Sequence, residues 1–389
     1  MNGTAFEAAL IDLFDPAQRT DPYPTYRRWR ESAPVTRIND GLLVATGHTA
    51  CDHVLRDAAF GHPDTDRDRS FISLDPPDHT RLRGHVSSAF TAQAIDKLRP
   101  RIEEVAEELV DKAAAAGRVD LIDALARPLP LVIICEMLGV PVTDRWRFAD
   151  WSQALANSVG PLEVRTKAVV AADMQARREF VIYFRKLVRQ RRREGGEDLL
   201  SALVATSDAG DTLTEPELLA TLTLLLVAGH ETTTNLIGNS VHTLLHHPEQ
   251  LDALLQDRHL SGAAVDETLR YDSPVQVAAR VARVETAIAD VEVPAGATVI
   301  LVIGAANRDP AVHSEPDTFD LHRQDSGQHL SFGRGIHYCL GAHLGKLQGR
   351  IALQALTGSS RRPRPARNPT WRTDSPSLRG LSELPIEFC

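Results

Sequence analysis

Cysteine is scarce in this chain, and its few copies are scattered. The 389 residues include only Cys51, Cys135, Cys339 and Cys389, too few and too far apart to form a disulfide framework. The chain also lacks an apolar run of about 18 residues, the length that a membrane-spanning helix requires. Its beginning lacks the basic and apolar segments of a signal peptide. These absences predict a soluble protein of the cytoplasm, a reducing compartment.

An excess of positive charge is absent as well. The 43 lysines and arginines are outnumbered by 52 aspartates and glutamates, which gives a formal net charge of −9. This balance argues against nucleic acid as the main partner. Hydrophobic residues make up 43% of the chain, enough for one large core. Because neither an internal repeat nor a linker divides the sequence, we expect a single domain over residues 1–389.

Helical patterns dominate the middle of the chain, and strand signals lie towards both ends. The helix-rich core is expected at about 78–273. Apolar segments on either side of Asn39-Asp40-Gly41 predict a hairpin at 33–46. Extended apolar segments predict further strands at 275–303. The predicted fold class is therefore mainly α with small β-sheets, an α+β arrangement.

A run of basic residues precedes Gly195-Gly196. Its members are Arg177, Arg178, Arg185, Lys186, Arg189, Arg191, Arg192 and Arg193. The run looks like a basic patch. Its position in a helical pattern favours a simpler interpretation, the solvated face of a long helix that ends at the two glycines.

The most informative segment is FGRGIHYCLG, residues 332–341, in which Cys339 stands among glycines, a phenylalanine and a histidine. An apolar helical pattern follows at once. Backbone N–H groups and the dipole at a helix N-terminus stabilise a thiolate, and thiolate is an axial ligand of haem iron that favours O–O cleavage. A lone cysteine is more often a small buried hydrophobe, but the surrounding pattern favours a metal ligand.

A second unusual segment, AGHETT at 228–233, lies within an apolar helical pattern. Carboxylate and hydroxyl groups are costly in a buried helix. One explanation is structural, with threonines bonded to their own helix and Glu231 paired to a distant arginine. The other is proton delivery, in which Gly229 leaves room for a diatomic ligand, Thr232 holds that ligand and Glu231 relays protons.

Together these segments resemble the cytochrome P-450 family, the haem-thiolate monooxygenases. The match continues in the family's order from about Asp21 to Leu384, nearly the whole chain. The resemblance implies the cytochrome P-450 fold, with haem b (iron protoporphyrin IX) held between a long central helix and the cysteine loop 332–341.

The resemblance also implies roles for individual residues. Cys339 is the axial metal ligand, and Glu231 and Thr232 form the catalytic, oxygen-activating pair. Glu267 and Arg270 form a buried ion pair that stabilises the fold and the haem loop. Haem propionates attract arginine and cationic histidine. The implied cofactor contacts, of which the four basic residues bind propionates, are His79, Arg83, Ala228, Arg280, Phe332 and His337.

The implied activity is insertion of one atom of O2, by hydroxylation or epoxidation, into an apolar natural product during secondary metabolism. Electrons would come from NAD(P)H-linked partners, a ferredoxin or flavodoxin with its reductase. These would dock near Cys339, on the helix with His343, Lys346 and Arg350. A monomer is expected. The alternatives are a peroxide-driven or non-oxygenating enzyme of the same fold, which typically lacks the acid–alcohol pair, and a haem-based sensor or carrier.

The substrate pocket is expected between a short polar lid at 58–78, Leu225 and Ala228, the strand 275–279, and the turn 378–381. The small aliphatic side chains of that strand leave space, and aromatic residues are only 5% of the chain. We therefore expect a mid-sized to large apolar substrate. Gln276 either orients this substrate or faces water.

Overall fold

Helices account for most of the chain in the computed structural model, which describes residues 13, 15–63, 70–157, 167–208, 213–375 and 377–389. A π-helical turn at Ile122–Ala126 interrupts the series. The α-helices are α1 (Tyr23–Ser32), α2 (His48–Arg56), α3 (Asp78–Ser87), α4 (Ala92–Asp96), α5 (Arg99–Ala116), α6 (Pro128–Met137), α7 (Arg145–Asn157), α8 (Lys167–Glu194), α9 (Leu199–Asp208), α10 (Glu215–His246), α11 (Pro248–Gln256), α12 (Ser261–Tyr271), α13 (Ile303–Ala306) and α14 (Ala342–Gly358).

The strands are short and lie mainly towards the ends of the chain, so the predicted α+β class is confirmed. They are β1 (Val35–Asn39), β2 (Leu42–Ala45), β3 (Phe60–Gly61), β4 (Arg118–Asp120), β5 (Val277–Ala282), β6 (Thr286–Ile288), β7 (Val291–Val293), β8 (Thr298–Val302), β9 (Pro363–Pro365), β10 (Thr370–Trp371), β11 (Leu381–Glu383) and β12 (Pro385–Phe388).

The largest sheet among the described residues has the order β1-β2-β8-β5-β3. The predicted hairpin is present, with Val35 opposite Ala45. Strand β8 pairs in parallel with β2 and antiparallel with β5, so the two predicted strand regions form one sheet. A second sheet, β4-β12-β9, lies outside 33–46 and 275–303. Its strands have three or four residues and include prolines, which weakens any sequence signal.

The central helix α10 begins at a capping box. The Thr214 side chain accepts a hydrogen bond from the Glu217 N–H, and the Glu217 carboxylate accepts one from the Thr214 N–H. Its 32 residues extend roughly 48 Å at 1.5 Å per residue. Helices α6, α7, α12 and α14 pack around it. Nevertheless, no helix in the described part of the chain is long and apolar enough to span a membrane.

Apolar side chains cover both faces of the five-stranded sheet. Leu43, Val299 and Leu301 belong to the cluster on one face. Their neighbours in sequence, such as Val44 and Ile300, belong to the cluster on the other face. This alternation is the period of two expected for a strand buried on both sides. A larger apolar cluster fills the space between the helices and fixes α10 beside the cysteine loop.

Candidate active site

The cysteine loop is closed by its own backbone. The N–H of Cys339 donates to the carbonyl oxygen of Phe332 at 2.8 Å. Gly333 and Gly335 lie between these residues with φ of +68° and +66°, in the left-handed region that favours glycine. A Cβ on Gly335 would lie 2.6 Å from the carbonyl oxygen of Leu55. The glycines therefore determine the path that presents the cysteine.

Cys339 keeps exposed surface, although protein atoms surround it on most sides. Burial raises the pKa of its thiol, against the opposing effects of the Gly341 N–H and the positive charge of Arg83. Without a bound metal ion, the thiol form is therefore favoured. Coordination to a metal ion deprotonates a thiol outright.

Glu231 and Thr232 are adjacent on α10 but have different surroundings. Thr232 Oγ1 donates to the carbonyl oxygen of Ala228 at 2.7 Å. Glu231 is buried, and its Oε2 accepts a hydrogen bond from Nη1 of Arg372 at 2.6 Å. The structural explanation left open by the sequence, a self-bonded threonine and a distant arginine, is therefore present. The Thr232 hydroxyl and the Glu231 carboxylate become available for proton transfer when these bonds to Ala228 and Arg372 open.

Arg372 connects the buried carboxylate with the surface. It follows β10, and its guanidinium is 9% exposed. Its Nε and Nη2 donate to Asp374 at 3.3 and 3.4 Å, and the Asp374 side chain is 38% exposed. Sequence reasoning missed Arg372. The only available signal was the buried glutamate, which needs a cation from somewhere in the chain.

The open position on α10 is Ala228, not Gly229. Ala228 is exposed, although most of the surrounding helix is buried. A Cβ on Gly229 would lie 3.2 Å from Ile134 of α6, so this glycine serves helix packing and the expected room for a diatomic ligand is not there. One turn later, Thr233 Oγ1 is 3.8 Å from the Cβ position of Gly345. This segment of α10 therefore lies against α14, the helix that follows the cysteine loop.

The four residues predicted to bind propionates are brought together. The ring centroids of His79 and His337 are 4.3 Å apart. Burial, followed by repulsion from His62, Arg280, His79 and Arg83, lowers the pKa of His337 to about 2. These groups are cationic or become so on protonation, so they disfavour one another's charged forms. Such a cluster favours anionic ligands.

Two members of this basic cluster are buried without the partners that they require. Neither ring nitrogen of His79 has a hydrogen-bond partner among the described residues. The Arg280 guanidinium donates to the carbonyl oxygen of Ala279 at 2.8 Å, and burial lowers its pKa to about 10. Arg83 donates to the Tyr338 carbonyl oxygen at 2.6 Å, which ties α3 to the cysteine loop. A buried guanidinium without an anion is costly, so the cluster fits the two carboxylates of haem.

Asp75 is the acidic residue beside this cluster. Its Oδ1 lies 3.3 Å from Nε2 of His337 and 3.4 Å from Nδ1 of His62. Its Oδ2 accepts a hydrogen bond from the backbone N–H of His62 at 2.9 Å and also contacts Arg283. One carboxylate cannot neutralise the whole cluster. The Asp75 oxygens already contact the His62 N–H and Arg283, which leaves little hydrogen-bonding capacity for the rest of the cluster.

Other expected site residues are occupied by structural contacts. The buried Gln276 donates to the carbonyl oxygen of Ser273 at 2.7 Å, so it holds the backbone rather than facing water. Lys346 Nζ lies 2.6 Å from Asp266, which removes a free cation from the expected docking helix of the electron donor. Leu225 is buried beside the open position on α10. Residues 64–69, the charged part of the expected lid, lie outside the described residues.

Comparisons with known proteins agree with this arrangement. The family model "Cytochrome P450" matches residues 23–357. The chain is 40% identical to cytochrome P450 monooxygenase PikC of Streptomyces venezuelae, over 99% of this chain and 96% of PikC. It is 38% identical to 6-deoxyerythronolide B hydroxylase of Saccharopolyspora erythraea, over 97% and 98% of the two chains.

A solved structure shows the same fold. P450BioI, in complex with acyl carrier protein ligated to hexadec-9Z-enoic acid, superposes with a TM-score of 0.86 at 35% identity, over 96% of this chain and 99% of that one. The family uses haem iron, O2 and external electron donors. The residues around Cys339 fit such a cofactor, with an exposed cysteine at the end of the loop and a basic cluster in which His79 and Arg280 have no anionic partner among the described residues. The chain therefore belongs to the cytochrome P450 family and is a haem-dependent monooxygenase.

Proposed function

We propose that this monooxygenase hydroxylates or epoxidises an apolar natural product as a tailoring step in secondary metabolism. The observation that carries the proposal is the position of Thr232 and Glu231, one turn beyond the exposed Ala228 on the helix beside the cysteine loop. Support also comes from 6-deoxyerythronolide B hydroxylase, which is similar over nearly its whole length.

The proposed cofactor is haem b, which when bound supplies O2 activation and oxygen transfer. Cys339 is its proposed axial ligand, and Ala228 and Phe332 are proposed contacts of the ring. His79, Arg83, Arg280 and His337 are the proposed partners of the propionates. The support is chemical, since two carboxylates are what this basic cluster lacks.

Proton delivery is the proposed task of the acid–alcohol pair. Thr232 donates a hydrogen bond from its hydroxyl, and Glu231 supplies the next proton. Arg372 keeps its own proton at any accessible pH, because a guanidinium is not deprotonated in proteins. A proton therefore reaches Glu231 from water when the Glu231–Arg372 pair opens, and Asp374 marks the outer end of that route.

Electrons are proposed to come from NAD(P)H through a ferredoxin or flavodoxin and its reductase, which supports a cytoplasmic location. The proposed functional unit is a monomer. A peroxide-driven reaction is the second candidate within the same fold. It is disfavoured by Glu231 and Thr232, because an enzyme supplied with peroxide does not need this pair to deliver protons.

Spectroscopy of the holoenzyme tests the proposal. The reduced, carbon-monoxide-bound form should show the red-shifted Soret band of thiolate ligation. Macrolactones, terpenoids and steroids should convert low-spin to high-spin iron, whereas phenols and short fatty acids should not. Turnover of a shifting compound with 18O2 should add one labelled oxygen atom. Shifts with the small compounds alone would contradict the substrate class, and product formation with hydrogen peroxide but not with reduced ferredoxin would favour the second candidate.

The substrate can be free or attached to a carrier protein. P450BioI was solved with its fatty acid ligated to acyl carrier protein. We propose carrier attachment for this enzyme too. Carrier delivery requires a docking surface outside the cleft, which a free substrate does not.

A further inference from the structure

The basic residues of α8 fall into two groups with different surroundings. Four form ion pairs with carboxylates at 2.9–3.1 Å: Arg177, Arg185, Arg191 and Arg192. The other four are exposed and have no carboxylate partner within the described part of the chain: Arg178, Lys186, Arg189 and Arg193. The run therefore lies mostly on the exposed face of a long helix that ends before Gly195-Gly196, as predicted, and half of its cations have no carboxylate partner among the described residues.

The unpaired cations follow one side of the helix. Together with two exposed apolar residues they occupy positions three or four apart, which share one face of a helix. Met174 is 67% exposed and Ile182 is 60% exposed. The set extends about 28 Å along the axis at 1.5 Å per residue. We call it the α8 basic face: Met174, Arg178, Ile182, Lys186, Arg189 and Arg193.

The composition of the α8 basic face is typical of an interface. The chain has a net charge of −9, yet none of these six positions is acidic. Methionine and arginine are enriched where proteins bind one another, and a potential of one sign selects a partner of the other sign. One cation per helical turn matches a partner helix with acidic residues at the same spacing.

Helix α8 lies beside the start of the central helix α10. Helix α8 packs against α7, α9 and α10. Arg185 and Arg192 on α8 contact Glu215 at the start of α10, and α9 also contacts α3, which follows the expected lid. The expected surface for the electron donor lies elsewhere, on α14. The exposed large apolar side chains of α8 are Val170, Met174 and Ile182, still fewer than the apolar face of a membrane-bound helix.

We propose that the α8 basic face docks an acidic helix of an acyl carrier protein that delivers the substrate. This inference rests on the proposed function, since it concerns how the same apolar substrate arrives. The cations steer the carrier and align its helix along α8. Met174 and Ile182 add apolar contacts with the carrier helix, and the flexible side chain of Met174 adapts to its shape.

The test uses the holoenzyme and a fluorescent acyl carrier protein loaded with a hexadecanoyl chain. Its binding is measured by anisotropy at low and high salt. The variant Arg178→Glu with Arg189→Glu should weaken binding by at least about tenfold and reduce its salt dependence. The matched control, Arg364→Glu with Arg367→Glu, changes the net charge equally at exposed positions outside α8, and should bind nearly as the wild type does.

Four results would overturn the proposal. The first three are no binding by the wild type, equal binding by the Arg178/Arg189 variant, and equal weakening in the control. The fourth is an Arg178/Arg189 variant that still binds the carrier but loses binding to anionic vesicles or is reduced more slowly by ferredoxin. The proposed function fails separately. Absence of spin-state shifts with every apolar compound, while carrier binding remains salt-dependent and specific to the α8 basic face, would contradict the substrate class and not the docking.

Discussion

Glu267 and Arg270 lie three residues apart on α12, and both side chains are completely buried. Two hydrogen bonds join them, from Nη2 to Oε1 at 2.7 Å and from Nε to Oε2 at 2.8 Å. Arg270 also donates to the carbonyl oxygens of Pro316 and Thr318 at 2.7 and 2.9 Å. The pair therefore fixes the segment that leads towards the cysteine loop.

Removing either partner should prevent recovery of folded holoprotein. Glu267→Ala leaves the buried Arg270 without its carboxylate, at a cost of ~3–5 kcal/mol, a large part of a typical domain's stability. Arg270→Ala leaves Glu267 with Arg323 as its remaining cation among the described residues and removes the bonds to Pro316 and Thr318. Soluble yield and the Soret band measure the effect. Arg367→Ala is the control, since Arg367 and Glu383 are exposed and such pairs contribute at most ~1 kcal/mol. Normal holoprotein from Arg270→Ala would contradict the prediction.

Cys339→His should retain haem but lose the red-shifted band of the reduced carbonyl complex, together with monooxygenation, because imidazole is neutral and donates less electron density. Cys51, Cys135 and Cys389 should each tolerate serine or alanine with that band intact. Burial raises the pKa of Cys51 and raises that of Cys135 to about 12, so these two remain protonated thiols. Loss of the band in one of these three, and its retention in Cys339→His, would refute the assignment.

Thr232→Ala should still bind substrate and consume reductant, but should divert most of the electrons to hydrogen peroxide. Without the hydroxyl, protons are no longer directed to the oxygen atom that must leave as water. The ratio of peroxide to product measures this coupling. Glu231→Gln should slow turnover by about 10²–10⁴-fold, the usual effect of losing a proton-transfer group. Unchanged coupling in Thr232→Ala would favour the peroxide-driven alternative or a substrate hydroxyl in this role.

Arg372→Met should destabilise the ferric holoprotein by ~3–5 kcal/mol, because it leaves the buried Glu231 carboxylate without its cation. Guanidinium chloride unfolding measures the change. The double variant Arg372→Met with Glu231→Gln should recover part of the loss, since no buried charge is then unpaired. Arg367→Met, in an exposed pair near the same C-terminal strands, should have little effect. Equal stability of wild type and Arg372→Met would show that the Glu231–Arg372 ion pair does not stabilise the protein.

Arg83→Ala combined with Arg280→Ala should yield mostly apo-protein, whereas each single change should only weaken haem retention. Each charge-assisted contact contributes about 1.5–3 kcal/mol. The ratio of Soret to 280 nm absorbance gives the occupancy, and far-ultraviolet circular dichroism reports folding. Full haem occupancy in the double variant would exclude these arginines as propionate ligands.

Features that depend on neighbouring residues were predictable from sequence. The hairpin around Asn39 and the long helix that ends before Gly195 follow from local patterns, and the structure confirms both. The resemblance, which covers nearly the whole chain, also named the four basic residues that the structure brings together; their contacts with haem stay a prediction.

Features that depend on packing were not predictable. Glu231 and Arg372 are 141 residues apart, and no local pattern pairs them. The neighbour that Gly229 faces depends on how α10 is rotated about its axis against α6. A shift of one residue along the helix turns this direction by 100°. The raised pKa of Cys339 depends on burial by distant segments, whereas sequence reasoning considered only the N–H groups and the helix dipole nearby.

The carboxylate of Asp75 is shared by three segments, since it contacts His62 after β3, Arg283 after β5 and His337 in the cysteine loop. The Asp75 side chain is 13% exposed, whereas that of Arg283 is 48% exposed. Dissolved ions screen exposed charges much more than buried ones. Rising ionic strength should therefore weaken the contact with Arg283 before the contacts with His62 and His337.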